Sequence, residues 1–203
     1  MTTTSNAEFD EIFEGQPLMA IFRGLGVERS LELAERAWGL GINVVELPIQ
    51  TEADLEALRV VAAAGRAAGR LVGAGTVVSK RHVELAASAG AAFTVSPGFD
   101  PAVSRASAQA GMPPMPGVAT ATEVQAAMAM GLTWVKAFPA SLLGPGWFSA
   151  MAGPFPDARF VATGGMDASN AGEFLARGVR AVAVGSALED PAQLPALAAL
   201  LAE

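Results

Sequence analysis

Apolar runs of five to seven residues alternate along the chain with polar turns and with longer stretches of helical periodicity. The runs at 18–22 (LMAIF), 43–47 (NVVEL), 71–75 (LVGAG), 92–96 (AFTVS), 113–117 (PPMPG), 133–138 (TWVKAF), 159–164 (RFVATG) and 179–185 (VRAVAVG) predict strands. Between them, stretches such as SLELAERAWGLG, EADLEALRVVAAAGRAAG, KRHVELAASAG, ATEVQAAMAMG and ASNAGEFLARG are amphipathic or Ala-rich and read as helices. Several stop at a glycine, the residue that most easily takes the left-handed conformation after a last helical turn. Thr51, Ser79, Asp100, Thr120 and Asp167 stand where a side-chain oxygen can cap a helix start. The run at 113–117 carries Pro113, Pro114 and Pro116, which allow only a short or edge-like strand.

Regular strand–helix alternation implies parallel pairing through right-handed crossovers. Eight such units predict an α/β protein, a single-domain (β/α)8 TIM barrel over residues 1–203, near the lower size limit of that fold. An open doubly wound sheet is the alternative, but eight nearly evenly spaced strands without a long insertion favour closure. Residues 6–15 predict an extra N-terminal helix across the barrel bottom. A barrel also predicts that functional groups sit at the C-terminal ends of the strands and in the loops that follow.

Composition narrows the chemistry. With 52% hydrophobic and 16% charged residues the chain is not a disordered one. It has no Cys, so no disulfide framework and no oxidising compartment are implied, and a cytoplasmic location is expected. Mean hydropathy is +0.39, yet no apolar run reaches the roughly 20 residues of a spanning helix. The acidic start MTTTSNAEFDEIFEG does not read as a signal peptide, and no membrane contact is expected. A net charge of −7 argues against nucleic acid, which requires basic patches. With His82 the single histidine, a His-rich zinc centre is not expected, and no metal is predicted. His82 and Lys80 share the polar segment SKRHVE, a solvated helix start.

Four positions break the apolar pattern. Lys136 lies inside TWVKAF, where burial disfavours an ammonium; a neutral amine there can form a Schiff base with a ketone or aldehyde. The plainer reading is a buried ion pair or a strand-end lysine reaching water. Glu46 lies inside NVVELPI and shares parity with Val44 and Pro48. It needs a partner, either Lys136 or Arg23, and a desolvated carboxyl suits proton shuttling. Arg23 follows the first strand and can hold a carboxylate through two hydrogen bonds. Thr76 ends VGAGT, and its hydroxyl could bind the same carboxylate or cap a turn. Gly73 and Gly75 thin the backbone beside it, permitting close ligand approach. Gly164 and Gly165 follow the seventh strand just before a helix, and Gly185 and Ser186 follow the eighth. Their amides and helix N-termini form a common phosphate site of such barrels, with ordinary turn glycines as the alternative. From the residues alone, a Schiff-base aldolase, a phosphate-binding isomerase or epimerase without a covalent adduct, and a silent binding module all remain open.

The segments PLMAIFRG, VVELPIQT, LVGAGTV, TVSPGFD, PGVATATE, WVKAFPAS, ATGGMDASN and AVGSAL, in that order over residues 17–187, resemble the KDPG/KDPGal aldolases. These are class I lyases of 2-keto-3-deoxy-6-phospho sugar acids. The resemblance implies cleavage to pyruvate and glyceraldehyde 3-phosphate without a cofactor or metal, in a homotrimer. It implies Lys136 as Schiff-base lysine, Glu46 as general acid/base, and Arg23 and Thr76 on the pyruvate carboxylate. Pro97, Phe138 and Thr163 would line the substrate pocket; Gly164, Gly165, Gly185 and Ser186 would hold the phosphate. Phosphogluconate-type members carry an Arg four residues after the Glu. Gln50 stands there in this chain, with Arg23 placed as in phosphogalactonate-type members, whereas Thr163 matches the phosphogluconate type. The family also includes 4-hydroxy-2-oxoglutarate aldolases, whose substrates carry no phosphate.

Overall fold

In the computed structural model, which describes residues 2–202, every apolar run contributes parallel strand. The strands are β1 (Leu18–Ile21), β2 (Val44–Pro48), β3 (Leu71–Gly75), β4 (Thr94–Val95), β5 (Pro114–Met115), β6 (Gly117–Val118), β7 (Trp134–Ala137), β8 (Arg159–Thr163) and β9 (Ala181–Val184). They pair in the order β5-β4-β3-β2-β1-β9-β8-β7-β6. Because β5 and β6 are successive pieces of one stave, interrupted at Pro116, the ring is a nearly closed barrel of the expected (β/α)8 kind.

The split stave corrects the expected single strand at 113–117 and has a plain cause: proline cannot donate to a ladder. Its carbonyls still reach both neighbours. The carbonyls of Pro113 and Met115 take the N–H groups of Thr94 and Ser96 at 3.1 and 3.0 Å on one side. Those of Pro116 and Val118 take the N–H groups of Lys136 and Phe138 at 2.8 and 3.1 Å on the other. The expected strand at 92–96 shrinks to Thr94–Val95, and that at 43–47 lies one residue later.

Outside the barrel run α2 (Gly26–Leu40), α3 (Glu52–Ala67), α4 (Lys80–Ala89), α5 (Pro101–Gln109) and α6 (Ala121–Ala129), each filling one crossover. Capping follows the sequence at four of the five expected positions. Thr51 and Thr120 form reciprocal capping boxes with Asp54 and Glu123. The Ser79 hydroxyl accepts from the His82 N–H, and the Asp100 carboxylate from the Ala102 N–H. Asp167 is the exception. It accepts from the Ser169 amide and hydroxyl, at 2.8 and 2.6 Å, while the next helix, Ala171–Leu175, begins only after Asn170.

Alternation along the strands sorts apolar side chains into two populations. Val45, Leu47, Val135 and Ala137 face the helices, whereas Met19, Val44, Trp134 and Val161 fill the barrel interior. The lower interior is sealed by α1 (Thr2–Ile12), the predicted extra helix. Phe9 meets Phe93 edge-on at 5.9 Å, and Phe13, just past the helix, stacks on Trp134 at 4.8 Å. Asp10 accepts from the Trp134 indole N–H at 2.9 Å and pairs with Arg159 at 3.1 Å. Asn6 donates to the Gly131 carbonyl and accepts from the Thr133 N–H. The plug is therefore fixed in register as well as buried.

Phe9 is 1% exposed, so Phe9→Ala should destabilise the fold by about 3–5 kcal/mol through the cavity it leaves. Urea unfolding checks this; an unchanged midpoint would mean that α1 does not seal the barrel.

Candidate active site

Above the aromatic floor the interior changes character. The inward positions of β7 ascend from Trp134 to Lys136, and those of β2 from Val44 to Glu46. Lys136 is 3% exposed and Glu46 0%. The Lys136 ammonium nitrogen lies 3.7 Å from Glu46 Oε2. Neither carboxylate oxygen of Glu46 has a hydrogen-bond partner among the described residues. Of the two partners open to Glu46, the structure pairs it with Lys136; Arg23 instead donates to Gln50 Oε1 at 2.6 Å. Gln50 thus anchors the guanidinium.

The glycines of β3 serve the protein itself. A Cβ on Gly75 would overlap the Glu46 carboxylate, and one on Gly73 would overlap the Phe93 ring. The expectation that they admit a ligand to the backbone is corrected accordingly: they make room for a buried charge and a buried ring. Thr76, directly after β3, has φ +57°. A β-branched residue in the left-handed region is strained, a condition that collects at functional sites.

A cavity of about 500 Å3 opens over Lys136 at the C-terminal ends of β1, β7, β8 and β9. Of the sequence-selected residues it brings together Arg23, Lys136, Phe138, Thr163, Gly164, Gly165, Gly185 and Ser186. The Lys136 nitrogen lies 5.5 Å from the centre of the Phe138 ring. Thr163 Oγ1 is buried without a hydrogen-bond partner. Glu46 is wholly covered beneath this cavity, and Thr76 does not line it. Pro97 lies in a separate surface hollow with Val78 and Phe99, but its backbone packs against Gly117, the register partner of Lys136. A larger hollow of about 680 Å3 lies at the opposite face, bounded by Asp10, Glu14, Arg159 and Arg180, and contains none of the sequence-selected residues.

The two glycine loops need a further correction. Gly164 and Gly165 take φ +95° and +72°. A Cβ at Gly164 would come within 3.1 Å of the Phe138 ring, and one at Gly165 would strike Ser141. They do not open directly into a helix: residues 166–167 are irregular, 168–170 form a turn, and the helix that follows, Ala171–Leu175, is only five residues long. After Gly185 comes a three-residue 3-10 turn, Ser186–Leu188. Any anion there meets loop amides and the Ser186 hydroxyl rather than a long helix dipole. The hydroxyl and amide of Ser169 hold the Asp167 carboxyl below its usual range, so that carboxylate stays ionised while fixing the turn.

Sequence reasoning did not select Leu25, Met166 or Glu189, which also line the cavity. Glu189 had one readable signal, its place in the loop after the last strand. His82 accepts from the Val78 N–H at the surface start of α4, as expected of a solvated position. Among the described residues no helix is long and apolar enough to cross a membrane. No group of three or more His, Asp or Glu residues is placed to hold a metal among them.

Comparison with known proteins gives this arrangement a family. A family model described as KDPG and KHG aldolase matches residues 9–198. The chain is 38% identical over 177 residues to a probable 2-dehydro-3-deoxy-6-phosphogalactonate aldolase of Rhizobium meliloti, covering 87% of this chain and 83% of that protein. It is 40% identical over 168 residues to a 2-dehydro-3-deoxy-phosphogluconate aldolase of Treponema pallidum, covering 82% and 79%. The crystal structure of a Legionella pneumophila KDPG aldolase, with pyruvate captured as a covalent carbinolamine intermediate, superposes with a TM-score of 0.81 at 30% identity over 94% of each chain. The chain belongs to the KDPG and KHG aldolase family and is a lyase of the aldolase type.

Proposed function

We propose that this protein is a class I aldolase that cleaves a 2-keto-3-deoxy-6-phospho sugar acid, of the gluconate or galactonate configuration, to pyruvate and glyceraldehyde 3-phosphate. The observation that carries the reading is the buried pair: an amine 3.7 Å from a carboxylate, beneath the mouth of an otherwise apolar barrel.

The nucleophile is the neutral amine of Lys136. Its displaced proton has an acceptor in Glu46, whose two oxygens take no other hydrogen bond from the described residues. The amine adds to the C2 carbonyl of the keto acid to form a carbinolamine. Protonation of the C2 hydroxyl by Glu46 expels water and leaves a protonated imine. Glu46 then accepts the C4 hydroxyl proton. The C3–C4 bond breaks, its electron pair passes into the imine, and the aldehyde departs. Protonation of the resulting enamine at C3, followed by hydrolysis, returns pyruvate and the free lysine. No redox partner or cofactor enters this balance.

The remaining residues orient the substrate. Arg23, steadied by Gln50, binds the keto-acid carboxylate; Thr76, strained but outside the cavity wall, is assigned to the same carboxylate by the family resemblance alone. Phe138 excludes water from the imine, Pro97 backs the stave beside Lys136 through Gly117, and Thr163 offers its hydroxyl, which has no partner among the described residues, to the substrate chain. Amides of Gly164, Gly165 and Gly185, with the Ser186 hydroxyl, bind the phosphate. A cytoplasmic homotrimer completes the reading. Its support is the resemblance to the aldolase family.

Incubation with pyruvate and borohydride should leave a reduced pyruvyl adduct on Lys136, read by intact mass and peptide mapping; no adduct would end the Schiff-base reading. Lys136→Ala should keep the fold and lower kcat by at least about a thousandfold. Glu46→Gln should cut kcat by about a hundredfold while still permitting adduct formation. Gly75→Ala should reproduce that loss, because its new methyl group displaces the same carboxylate; full activity in either variant would remove Glu46 from proton transfer. Sedimentation equilibrium should return three times the 20.6 kDa chain mass, and a monomer would refute the assembly.

A further inference from the structure

The cavity over Lys136 is electrically uneven. Lys136 and Arg23 lie at the keto-acid end, while Gly164, Gly165, Gly185 and Ser186 contribute only neutral donors. Glu189 is the one carboxylate among the residues that line it. It sits directly after the 3-10 turn that Ser186 begins, and its N–H donates to the Ser186 carbonyl at 3.0 Å. It therefore stands at the end of the cavity assigned to the phosphate.

Glu189 is also incompletely neutralised. Its nearest cation is Arg29, with Nη2 3.6 Å from Glu189 Oε2. Arg29 gives its closer contact, 2.7 Å, to Glu32, which in turn draws Arg36 at 3.0 Å. Glu32 and Glu189 together hold the Arg29 guanidinium above its ordinary range, Glu32 contributing more. Two arginines and two carboxylates thus balance overall, but the balance is uneven: Glu32 has both cations and Glu189 a longer contact to one.

We propose that Glu189 is a specificity-determining residue, whose carboxylate disfavours a dianionic tail on the keto acid and accepts hydrogen bonds from an uncharged hydroxylated tail. The inference rests on the aldolase reading above and deepens it by naming the substrate feature that this chain tunes. A phosphate brings close to two negative charges to a place where the donors are neutral and a carboxylate is near. A hydroxyl brings none and can donate to that same carboxylate. Both side chains of the Arg29–Glu189 pair are more than a third exposed, so solvent moderates the repulsion without abolishing it.

The test compares kcat/KM for the 6-phosphorylated 2-keto-3-deoxy sugar acid and its unphosphorylated counterpart. In Glu189→Gln the ratio of phosphorylated to unphosphorylated kcat/KM should rise about tenfold, with the gain on the phosphorylated substrate. Glu32→Gln removes an equal charge from the same arginine outside the cavity and should leave the ratio within about twofold, as local rather than net charge decides. A ratio that stays unchanged in Glu189→Gln, or moves equally in Glu32→Gln, overturns the proposal. Calorimetric binding of glycerol 3-phosphate to both variants gives a readout without turnover. Its dissociation constant should fall about tenfold in Glu189→Gln alone, and an unchanged constant is equally fatal. Failure of the aldolase reading looks different: the unsubstituted enzyme would cleave neither sugar acid and trap no pyruvate, while the calorimetric comparison still decides the role of Glu189.

Discussion

Two opposite charges taken wholly out of water, 3.7 Å apart inside a ring of strands, set the terms for the rest of this structure. Each buried ion loses hydration worth roughly several kcal/mol, and attraction alone restores that only in good geometry with the remaining polar atoms satisfied. Here both Glu46 oxygens lack further partners among the described residues. The pair is therefore a poor stabilising device and a good chemical one. Its surroundings are shaped to keep it: Gly75 gives up its side chain so that the Glu46 carboxylate can lie over β3.

The stability that this arrangement forgoes is recovered lower in the barrel. Phe9, Phe13, Phe93 and Trp134 form a continuous aromatic layer below the charged pair. The α1 helix is held there by Asn6 and Asp10 as well as by its rings. Bulk at the floor and small residues at the mouth leave one interior route, from the C-terminal face down to Lys136. The fold places its cavity where its strands end because its lower half is full.

Much of this was legible from residue order. Parity with Val44 and Pro48 set Glu46 apart from its helix-facing neighbours, and Lys136 stood inside an apolar run where burial called for a partner or a function. N-cap residues and terminal glycines marked most helix ends because those signals are local. What stayed hidden depends on contacts between distant segments. The glycines of LVGAG look like openings for a ligand until Phe93 and Glu46 are seen to occupy the space. The prolines of PPMPG suggest an edge, yet the Pro113 and Pro116 carbonyls accept from Thr94 on one side and Lys136 on the other. The left-handed backbone at Thr76 has no sequence signal at all, since threonine is among the residues least expected there.

The same contrast between local and distant information explains why the phosphate end was read too generously. Glycine loops at the ends of β8 and β9 suggest helix N-termini, but the following segments are a run of turns and a single 3-10 turn. Binding strength then comes from a few oriented amides rather than from a macrodipole that grows along a helix. On the proposed reading, Arg23, anchored by Gln50, and Lys136, paired with Glu46, stand at the keto-acid end. The substrate would then be held by a guanidinium and a covalent bond at the end where bonds are made, and by amides and a hydroxyl beside Glu189 at the end that leaves. That asymmetry suits a lyase whose two products separate, because the half retained on the lysine is the half held most firmly.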